Sequence, residues 1–351
     1  MCGMKKLLII TQKVDENDQL LGFFIPWLER FAKKFELVLV LCLQEGAYTL
    51  PLNVRVVSLG KERGFLKALQ LSRFWWYCFQ LRSQYDAVFV HMNPIWVVVG
   101  ASLWHRLGKK VFLWYTHKAV TAKLRLAEKL ADVIFTASPE SFRIPSKKVI
   151  VTGHGIDTRL FQPSEKLKVK SEKLMILTVG RIAPVKNYEV LIGALKLLAD
   201  QGLGFSVTIV GEPALAEDCS YAERLKEHVR TLGLADRVVF LGKKQNRELV
   251  PIYRSRDIFV HMSKTGSVDK TLLEAMACGM KVISSNDAAR AFLKPEAVFL
   301  EDDPSSMAKA IRRAADSPLS SDLRRYVVEN HNLDTLIQHL ADTMASRRNE
   351  I

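Results

Sequence analysis

Arg181 and Lys186 are the residues whose types and spacing point most directly to chemistry. They follow an apolar run at 174–179 that is typical of a β-strand, so we expect them in the loop at its carboxyl end. Ligands of open α/β sheets bind at such strand ends. Arginine can donate two hydrogen bonds to phosphate oxygens and lysine adds a compact charge, so the pair suits a diphosphate. In isolation, the same pair is also compatible with an ordinary surface loop.

Glu274 lies in a predicted helix, 271–277, between Leu and Ala neighbours. An unpaired carboxylate would be costly to bury there. The sequence therefore predicts a partner, either the hydroxyls of a ribose or a nearby Lys or Arg. A polar loop joins this helix to the preceding predicted strand, 257–261. Backbone N–H groups of that loop can face a sugar and a phosphate, and we assign this role to Gly266, Ser267 and Val268.

Three segments together carry a family resemblance. They are the GRxxxxK pattern at 180–186, the sequence LLEAMACG at 272–279, and VTGHGIDTRLF at 151–161, which is similar to an NGVDxxxF segment. With the glycine-rich loop before the helix, they resemble the family 4 retaining glycosyltransferases of the GT-B fold (glycosyl transferases group 1). The resemblance implies an α/β protein of two Rossmann-like domains facing across a cleft. It also implies a nucleotide diphosphate sugar as substrate, and neither a catalytic metal nor a cofactor.

His117 is the candidate catalytic residue. It follows the predicted strand 110–114, and relatives carry a histidine at the matching place, near the transferred sugar. The alternative is a structural histidine. Other strand ends provide further candidates: Gly211 and Lys243 for the donor phosphate and base, and His91 and Asn93 for the acceptor.

The chain departs from the family pattern in two places. The family normally has two glutamates eight positions apart, and the first of them falls on Gly266. This puts donor-sugar choice or catalysis in doubt, although Asp269 could supply a carboxylate instead of capping the helix. The usual Gly-Gly turn after the first strand is also absent. The loop there offers Asp15 and Asn17 as acceptor-side candidates, with helix capping by Asn17 or Asp18 as the alternative.

Strands and helices alternate along the whole chain, which predicts largely parallel sheets covered on both faces. We predict an N-terminal domain over 1–160, a nucleotide-sugar domain over 161–330, and a C-terminal helix in 331–351 that can cross back to the first domain. The predicted elements of the second domain include a helix at 222–232 and a last strand at 297–300. The stretch between 316 and 333 carries no predicted element.

The charge is unevenly distributed. The formal net charge is +14, and residues 1–168 hold 25 Lys and Arg against 13 Asp and Glu, whereas residues 169–351 hold 26 against 24. A donor bound in the second half does not explain this excess, so the first half is expected to meet an anionic membrane surface or an acidic acceptor. Five cysteines without a CxxC pair favour reduced thiols. No secretory leader or membrane span is predicted.

The segment 61–82 sharpens this expectation because it mixes basic residues with Phe, Trp and Tyr. That composition is typical of a helix lying in the headgroup region of a membrane. The alternative is a helix whose aromatic side chains pack on the sheet. Nucleic-acid binding is disfavoured because no helix-turn-helix, zinc or RNP-like pattern occurs. The membrane-contact candidates are Lys67, Arg73, Trp75 and Trp76.

The sequence thus predicts a cytoplasmic retaining glycosyltransferase, peripheral on the inner face of the membrane. It would move a sugar to a hydroxyl of a lipid-linked or other membrane-associated glycan precursor. The alternatives are a catalytically weak sugar-nucleotide-binding subunit and a GT-B sugar-nucleotide epimerase. The base, the sugar, the acceptor, the linkage and the oligomeric state stay open.

Overall fold

A computed structural model of the chain describes residues 5–18, 20–164, 172–262 and 267–346. The chain divides into two compact units. The first comprises Met1–Gly155 together with His331–Ile351, and the second comprises Ile156–Asn330. Each unit is built on one parallel sheet, which confirms the predicted α/β class with two Rossmann-like units.

The first unit contains a sheet of seven parallel strands in the order β3-β2-β1-β4-β5-β6-β7. The central strand β1 has alternate residues on opposite faces: Leu7 and Ile9 belong to one apolar core, and Leu8 and Ile10 to the other. Burial on both faces explains why β1 is a continuous apolar run rather than an alternating one. The strands are β1 (Lys6–Val14), β2 (Leu37–Glu45), β3 (Val54–Ser58), β4 (Ala87–His91), β5 (Lys110–Trp114), β6 (Val133–Thr136) and β7 (Val149–Val151).

Helices cover both faces of this sheet. One core is closed by α1 (Ile25–Ala32) and by α11 (Leu333–Ser346), the last helix of the chain. The other core is closed by α2 (Lys67–Gln80), α3 (Ile95–Arg106) and α4 (Ala122–Leu130). The helices α2, α3 and α4 therefore form one layer, which we call the α2–α4 layer.

The second unit contains five parallel strands in the order β10-β9-β8-β11-β12. The order reverses between β8 and β11, and ligands of such sheets bind outside the carboxyl ends of the strands at this switch point. The strands are β8 (Leu174–Val179), β9 (Phe205–Val210), β10 (Val238–Gly242), β11 (Ile258–His261) and β12 (Lys281–Ser284). The helices are α5 (Tyr188–Asp200), α6 (Ala216–Thr231), α7 (Asn246–Arg254), α8 (Lys270–Ala277), α9 (Pro304–Asp316) and α10 (Asp322–Asn330).

Two predicted elements of the second unit need correction, and one helix was not predicted. The strand predicted at 297–300 is wrong, because this stretch makes only an isolated bridge from Val298 to Ser284. Helix α6 begins at Ala216 rather than at 222. Helix α10 occupies part of the stretch for which nothing was predicted.

Every helix among the described residues is too short or too polar to cross a bilayer.

Candidate functional site

The carboxyl ends of β8, β9 and β10 bring three glycines to one edge of the second sheet. Gly180 donates its N–H to the Val210 carbonyl, and Gly211 donates to the Gly242 carbonyl. Gly211 has a φ of 142°, and a Cβ atom there would lie 2.0 Å from the Gly180 carbonyl oxygen. Only glycine permits this close backbone approach, so the edge has little side-chain cover where the phosphates are predicted.

Arg181 lies at this edge with about a third of its side chain exposed. Its Nε is 3.8 Å from Oδ2 of the buried Asp218, which also accepts a hydrogen bond from the Leu215 N–H at 3.3 Å. This contact is long and uses one nitrogen. The two terminal nitrogens make no hydrogen bond or ion pair within the described parts of the chain, so they can donate to a ligand.

Lys186, by contrast, is neutralised within the protein. Its Nζ is paired with Oδ2 of Asp269. The same oxygen receives a hydrogen bond at 3.0 Å from Nε2 of the buried His261, at the end of β11. Lys186, which was predicted to bind phosphate, is therefore paired with Asp269, a carboxylate whose role the sequence left open.

His261 is held in turn by Ser284, at the end of β12. Its Nδ1 lies 2.8 Å from the Ser284 hydroxyl oxygen, which accepts the Asn286 N–H at 3.0 Å. One neutral tautomer satisfies every bond: the hydroxyl donates to Nδ1, and Nε2–H donates to Asp269. Burial alone would raise the pKa of Asp269, but the His261 hydrogen bond and the Lys186 charge hold it far below its usual range.

Neither His261 nor Ser284 has a role predicted from the sequence. A signal was present, because each ends a strand next to a polar loop. Asp269 does occupy the N-cap position of α8, but its side chain makes no capping hydrogen bond there.

Glu274 is buried in the middle of α8. Its Oε2 accepts a hydrogen bond from the Tyr253 hydroxyl at 3.1 Å. Burial raises the pKa of the Glu274 carboxyl well above its usual range, against the opposing effects of Tyr253 and of Lys270, one helical turn earlier. The carboxyl is thus poorly compensated, which suits a group that gains a partner when a ligand binds.

The remaining donor-site candidates lie around the same edge. The Lys243 side chain is exposed, while its backbone N–H donates to Oε1 of Glu212 at 3.2 Å. The Ser267 carbonyl accepts a hydrogen bond from the Asn286 side chain at 3.0 Å, and Val268 is buried. Gly266 lies outside the described residues.

His117 lies beyond the carboxyl end of β5 and is exposed. Its backbone N–H donates to the Ser141 carbonyl at 3.0 Å, and its Nδ1 accepts the Ala119 N–H at 3.0 Å. The neutral ring therefore carries its proton on Nε2, which points the donor capacity of the side chain away from its own loop.

His91 and Asn93 flank a strained position at the end of β4. Met92 between them has a φ of 63°, a conformation that is uncommon outside glycine and recurs at functional sites. His91 itself is buried and stacks on Phe24 with ring centroids 4.1 Å apart. The prediction that His91 contacts an acceptor is therefore corrected to a packing role, whereas Asn93 stays a half-buried candidate.

Asp15 and Asn17 lie in the loop after β1. Lys13 is paired with Asp15 at 3.0 Å and with Asp18 at 2.8 Å, and Asp15 also accepts the Asn17 N–H at 3.0 Å. Burial opposes the charge of Lys13, but the hydrogen bonds that it donates to Asp18 and Asp15 raise its pKa. Asp15 thus has an internal partner, and the Asn17 side chain is exposed.

The predicted membrane-contact residues lie on α2. Lys67 and Trp76 are exposed, and Trp75 is half exposed with its indole N–H donating to the Val99 carbonyl at 2.9 Å. Arg73 differs from these: its guanidinium lies between the rings of Phe65 and Tyr77 and donates to a backbone carbonyl. Contact of Arg73 with a membrane is therefore corrected to an internal role.

The chain is similar in sequence to known glycosyltransferases and related synthases. Residues 162–334 match the family model "Glycosyl transferases group 1". A mannosylfructose-phosphate synthase of Agrobacterium fabrum is 29% identical over 168 residues, which are 43% of this chain and 37% of that protein. A D-inositol 3-phosphate glycosyltransferase of Acidothermus cellulolyticus is 26% identical over 252 residues, 66% of this chain and 54% of that protein. The chain thus spans roughly a third to a half of these curated relatives.

Two solved structures resemble the whole chain. Anabaena Alr3699/HepE in complex with UDP has a TM-score of 0.79 at 19% identity, covering 97% of this chain and 100% of that chain. Sucrose-phosphate synthase from Thermosynechococcus elongatus has a TM-score of 0.80 at 17% identity, covering 98% and 99%. At these identities the likeness concerns the fold. The second unit therefore carries a glycosyl transferases group 1 domain, and the chain as a whole shares the fold of these two structures.

Proposed function

We propose that the protein transfers a sugar from a nucleotide diphosphate sugar to an acceptor hydroxyl. The observation that carries the proposal is that Arg181 and Lys186 follow β8, and that Lys186 is paired with Asp269 at the start of α8, the helix that carries Glu274. The carboxyl end of β8 lies at the edge where open α/β sheets bind ligands. The family match over 162–334 supports a sugar-transfer reaction, and a neighbour of the same fold was crystallised with UDP.

In this proposal the leaving group is a nucleoside diphosphate, and the charge that develops on it must be stabilised. Arg181 donates to phosphate oxygens, and Lys186 adds its charge when it leaves Asp269. Each charge-assisted hydrogen bond contributes roughly 1.5–3 kcal/mol. Glu274 accepts hydrogen bonds from the ribose hydroxyls, which relieves its uncompensated burial.

We propose that transfer is metal-independent and retains the configuration at the anomeric carbon. The bond from that carbon to the phosphate oxygen breaks, and the acceptor oxygen bonds to the same face. The acceptor proton passes to the departing phosphate. His117 is the proposed catalytic residue on the first unit, where its Nε2–H can donate to a sugar hydroxyl.

We propose that the acceptor is lipid-linked or otherwise held at an anionic membrane, to which the first unit binds as a peripheral protein. Residues 63–127 contain ten Lys and Arg and a single acid, Asp86. Asp86 accepts the backbone N–H groups of Lys5 and Lys6, each at 3.0 Å, so its charge is used inside the unit. This span covers α2, α3 and most of α4, whose last turn adds Glu128 and Lys129. The excess of positive charge supports attraction to an anionic surface.

A second candidate is a sugar-nucleotide-binding subunit with little activity of its own. It is favoured by Gly266, which cannot supply the carboxylate that the family normally has at that position. Labelled nucleotide sugars separate the two: transfer or slow hydrolysis supports the enzyme, and binding without turnover supports the subunit.

The donor site is tested by thermal unfolding with UDP, GDP, ADP and their sugar conjugates. We expect one base to stabilise the protein, and we expect Arg181→Ala and Glu274→Ala each to weaken that binding tenfold or more, because each removes a direct ligand contact. Arg290→Ala is the control. Arg290 is an exposed arginine of the same unit that is paired with Asp287, and its loss should leave the affinity unchanged.

Wild-type affinity in both Arg181→Ala and Glu274→Ala would contradict the assignment of the site.

A further inference from the structure

The second unit has a cavity of about 860 Å³ at the edge of the sheet opposite the candidate donor site. Residues at the amino ends of four strands line it. Leu174 and Lys281 are the first residues of β8 and β12, and Gly204 and Asp257 directly precede β9 and β11. The donor-site residues Gly180, Gly211 and Ser284 lie at the carboxyl ends of the same strands. Strand β8 has six residues, so about 20 Å separates the two edges.

The cavity wall is strongly basic. Five cationic side chains line it, with Glu172 and Asp257 as the acids. Asp257 is partly engaged, because its Oδ2 accepts the Met175 N–H at 2.9 Å. The cations are Lys173, Arg254, Arg256, Lys281 and Arg324.

Four of these cations are bonded to neutral oxygens only, in the described parts of the chain. Arg254 donates to the carbonyls of Gln162 and Leu160, and Arg324 to those of Phe161 and Ala277. Lys281 donates to the Ala315 carbonyl at 3.1 Å. Carbonyl dipoles satisfy the N–H groups but leave the positive charge without a counter-ion.

Arg256 shows the imbalance most clearly. Its Nε and Nη2 both donate to one oxygen, the Thr208 hydroxyl, at 3.2 Å, and Nη1 donates to the Ser255 carbonyl and hydroxyl. Burial lowers the pKa of this guanidinium, and the Asp257 charge opposes that effect only in part. Ile258 pairs with Lys281 in the sheet, so the backbones of Arg256 and Lys281 lie at the same edge. Their charged ends reach different parts of the cavity wall, Arg256 at Thr208 of β9 and Lys281 at Ala315 of α9.

The rest of the wall indicates the size and nature of a ligand. Tyr253, Leu203, Met280 and Leu319 provide apolar surface beside the cations. A cavity of this volume is large enough for a small molecule. Arginine and lysine together are the residues that recognise phosphate.

We propose that this cavity binds a small phosphate-bearing molecule, such as a nucleotide or a sugar phosphate, at a site separate from the donor site. The anionic group contacts the cations of the cavity wall, among them Arg256 and Lys281, and the remainder of the molecule packs on the apolar wall. The site does not depend on the proposed reaction.

Titration calorimetry with inorganic pyrophosphate tests this site, because pyrophosphate lacks a base and a sugar and can occupy either edge. We expect two binding events in the wild type. Arg256→Gln/Lys281→Gln should lose one of them, with at least a tenfold loss of affinity, and Arg181→Ala should lose the other. Glutamine keeps hydrogen-bonding capacity without the charge.

The matched control is Lys309→Gln/Arg312→Gln, which removes two exposed cations of α9 outside the cavity and should leave both events intact. Lys281→Gln alone serves if the double variant unfolds at a lower temperature than the wild type. Unchanged pyrophosphate binding in the folded cavity variants would overturn the proposal. That outcome leaves the donor site untouched, since Arg181→Ala reports on it independently.

Discussion

At the scale of single residues, the most consequential contact is the one between Lys186 and Asp269. The spacing of Arg181 and Lys186 marks the proposed phosphate site in the sequence, but it cannot show that one of the two charges is already balanced. His261 and Ser284 hold the Asp269 carboxylate in place. A diphosphate must therefore compete with a carboxylate for Lys186.

Asp269→Asn is expected to tighten the binding of a nucleoside diphosphate about tenfold, because Lys186 then presents an unbalanced charge to the phosphates. The same change is expected to lower the thermal midpoint of the free protein, since it breaks a partly buried ion pair. Calorimetry for the affinity and thermal unfolding without ligand measure the two effects.

Asp218→Asn is a suitable comparison, because Asp218 lies 3.8 Å from Arg181 and its contact with that residue is weaker. We expect a smaller gain there. Weaker diphosphate binding by Asp269→Asn would instead indicate that the carboxylate itself helps to bind the donor.

The sequence could identify Arg181, Lys186 and Glu274 because each has an unusual type for its position beside an apolar strand or within an apolar helix. It could not find the hydrogen bond from Tyr253 to Glu274, which joins residues of two helices through tertiary packing. Nor could it show that the surroundings of His91 and His117 differ. Both lie at or beyond the carboxyl end of a strand, and only the structure shows the ring of His91 stacked on Phe24.

At the scale of elements, α2 shows how one helix serves two surroundings. Phe74 and Cys78 are buried against the sheet, whereas Leu69, Trp76 and Phe79 are exposed at 46%, 56% and 49%. The packing alternative therefore holds for the face of Phe74 and Cys78, while membrane contact of the other face stays a prediction. The exposed face is the one available to a lipid surface.

Trp75→Ser/Trp76→Ser is expected to reduce sedimentation with anionic liposomes about tenfold in partition coefficient. Each indole removes apolar surface from water when it enters the headgroup region, at about 25 cal/mol per Å². Binding should also weaken with added salt, because the attraction of the basic layer is screened. Trp76→Ser alone isolates the surface effect, since Trp75 also bonds to Val99.

Leu197→Ser/Val328→Ser removes exposed apolar side chains from the second unit and should leave sedimentation unchanged. Equal sedimentation of wild type and both tryptophan variants would remove α2 as a membrane contact.

There are physical reasons why a strand was wrongly predicted at 297–300 and why helix α10 was not predicted. The stretch 297–300 is apolar enough for a strand, but a short helical turn at Pro295–Ala297 precedes it and only one bridge to β12 forms. Helix α10 has a single buried apolar residue, Val327, and depends on tertiary contacts such as those of Arg324 with backbone carbonyls. Neither feature has a local pattern to detect.

At the scale of the whole molecule, the chain passes from the first unit to the second after Gly155 and returns before His331. The two segments that connect the units are joined on the first unit, where the His154 N–H donates to Nδ1 of His331 at 3.2 Å. Burial lowers the pKa of His331 to about 4. The neutral ring is therefore part of the structure that anchors the returning chain.

We expect acid to destabilise the first unit through His331. An unfolded histidine titrates near pH 6.5. Between about pH 6.5 and 4 the unfolded chain therefore binds a proton that the folded chain excludes, and the free energy of unfolding falls as the pH is lowered. At pH 5 the loss is about 2 kcal/mol. His331→Asn keeps an acceptor for His154 but cannot titrate, so it should lose less stability than the wild type between pH 7.5 and 5.

Thermal unfolding at both pH values measures this difference, and His105→Asn provides the control because His105 is exposed and paired with Asp132. Equal pH dependence of wild type and His331→Asn would contradict a role for the buried ring.

Helix α11 has a consequence for the order in which the molecule is assembled on the ribosome. It contributes Leu333, Leu336, Ile337, Leu340 and Met344 to the core of the first unit, yet it is translated after the entire second unit. Domains usually acquire their structure in the order of synthesis. Here the later unit is continuous and can mature first, while the earlier one waits with an incomplete core, exposed to aggregation and to chaperones, until α11 has been synthesised.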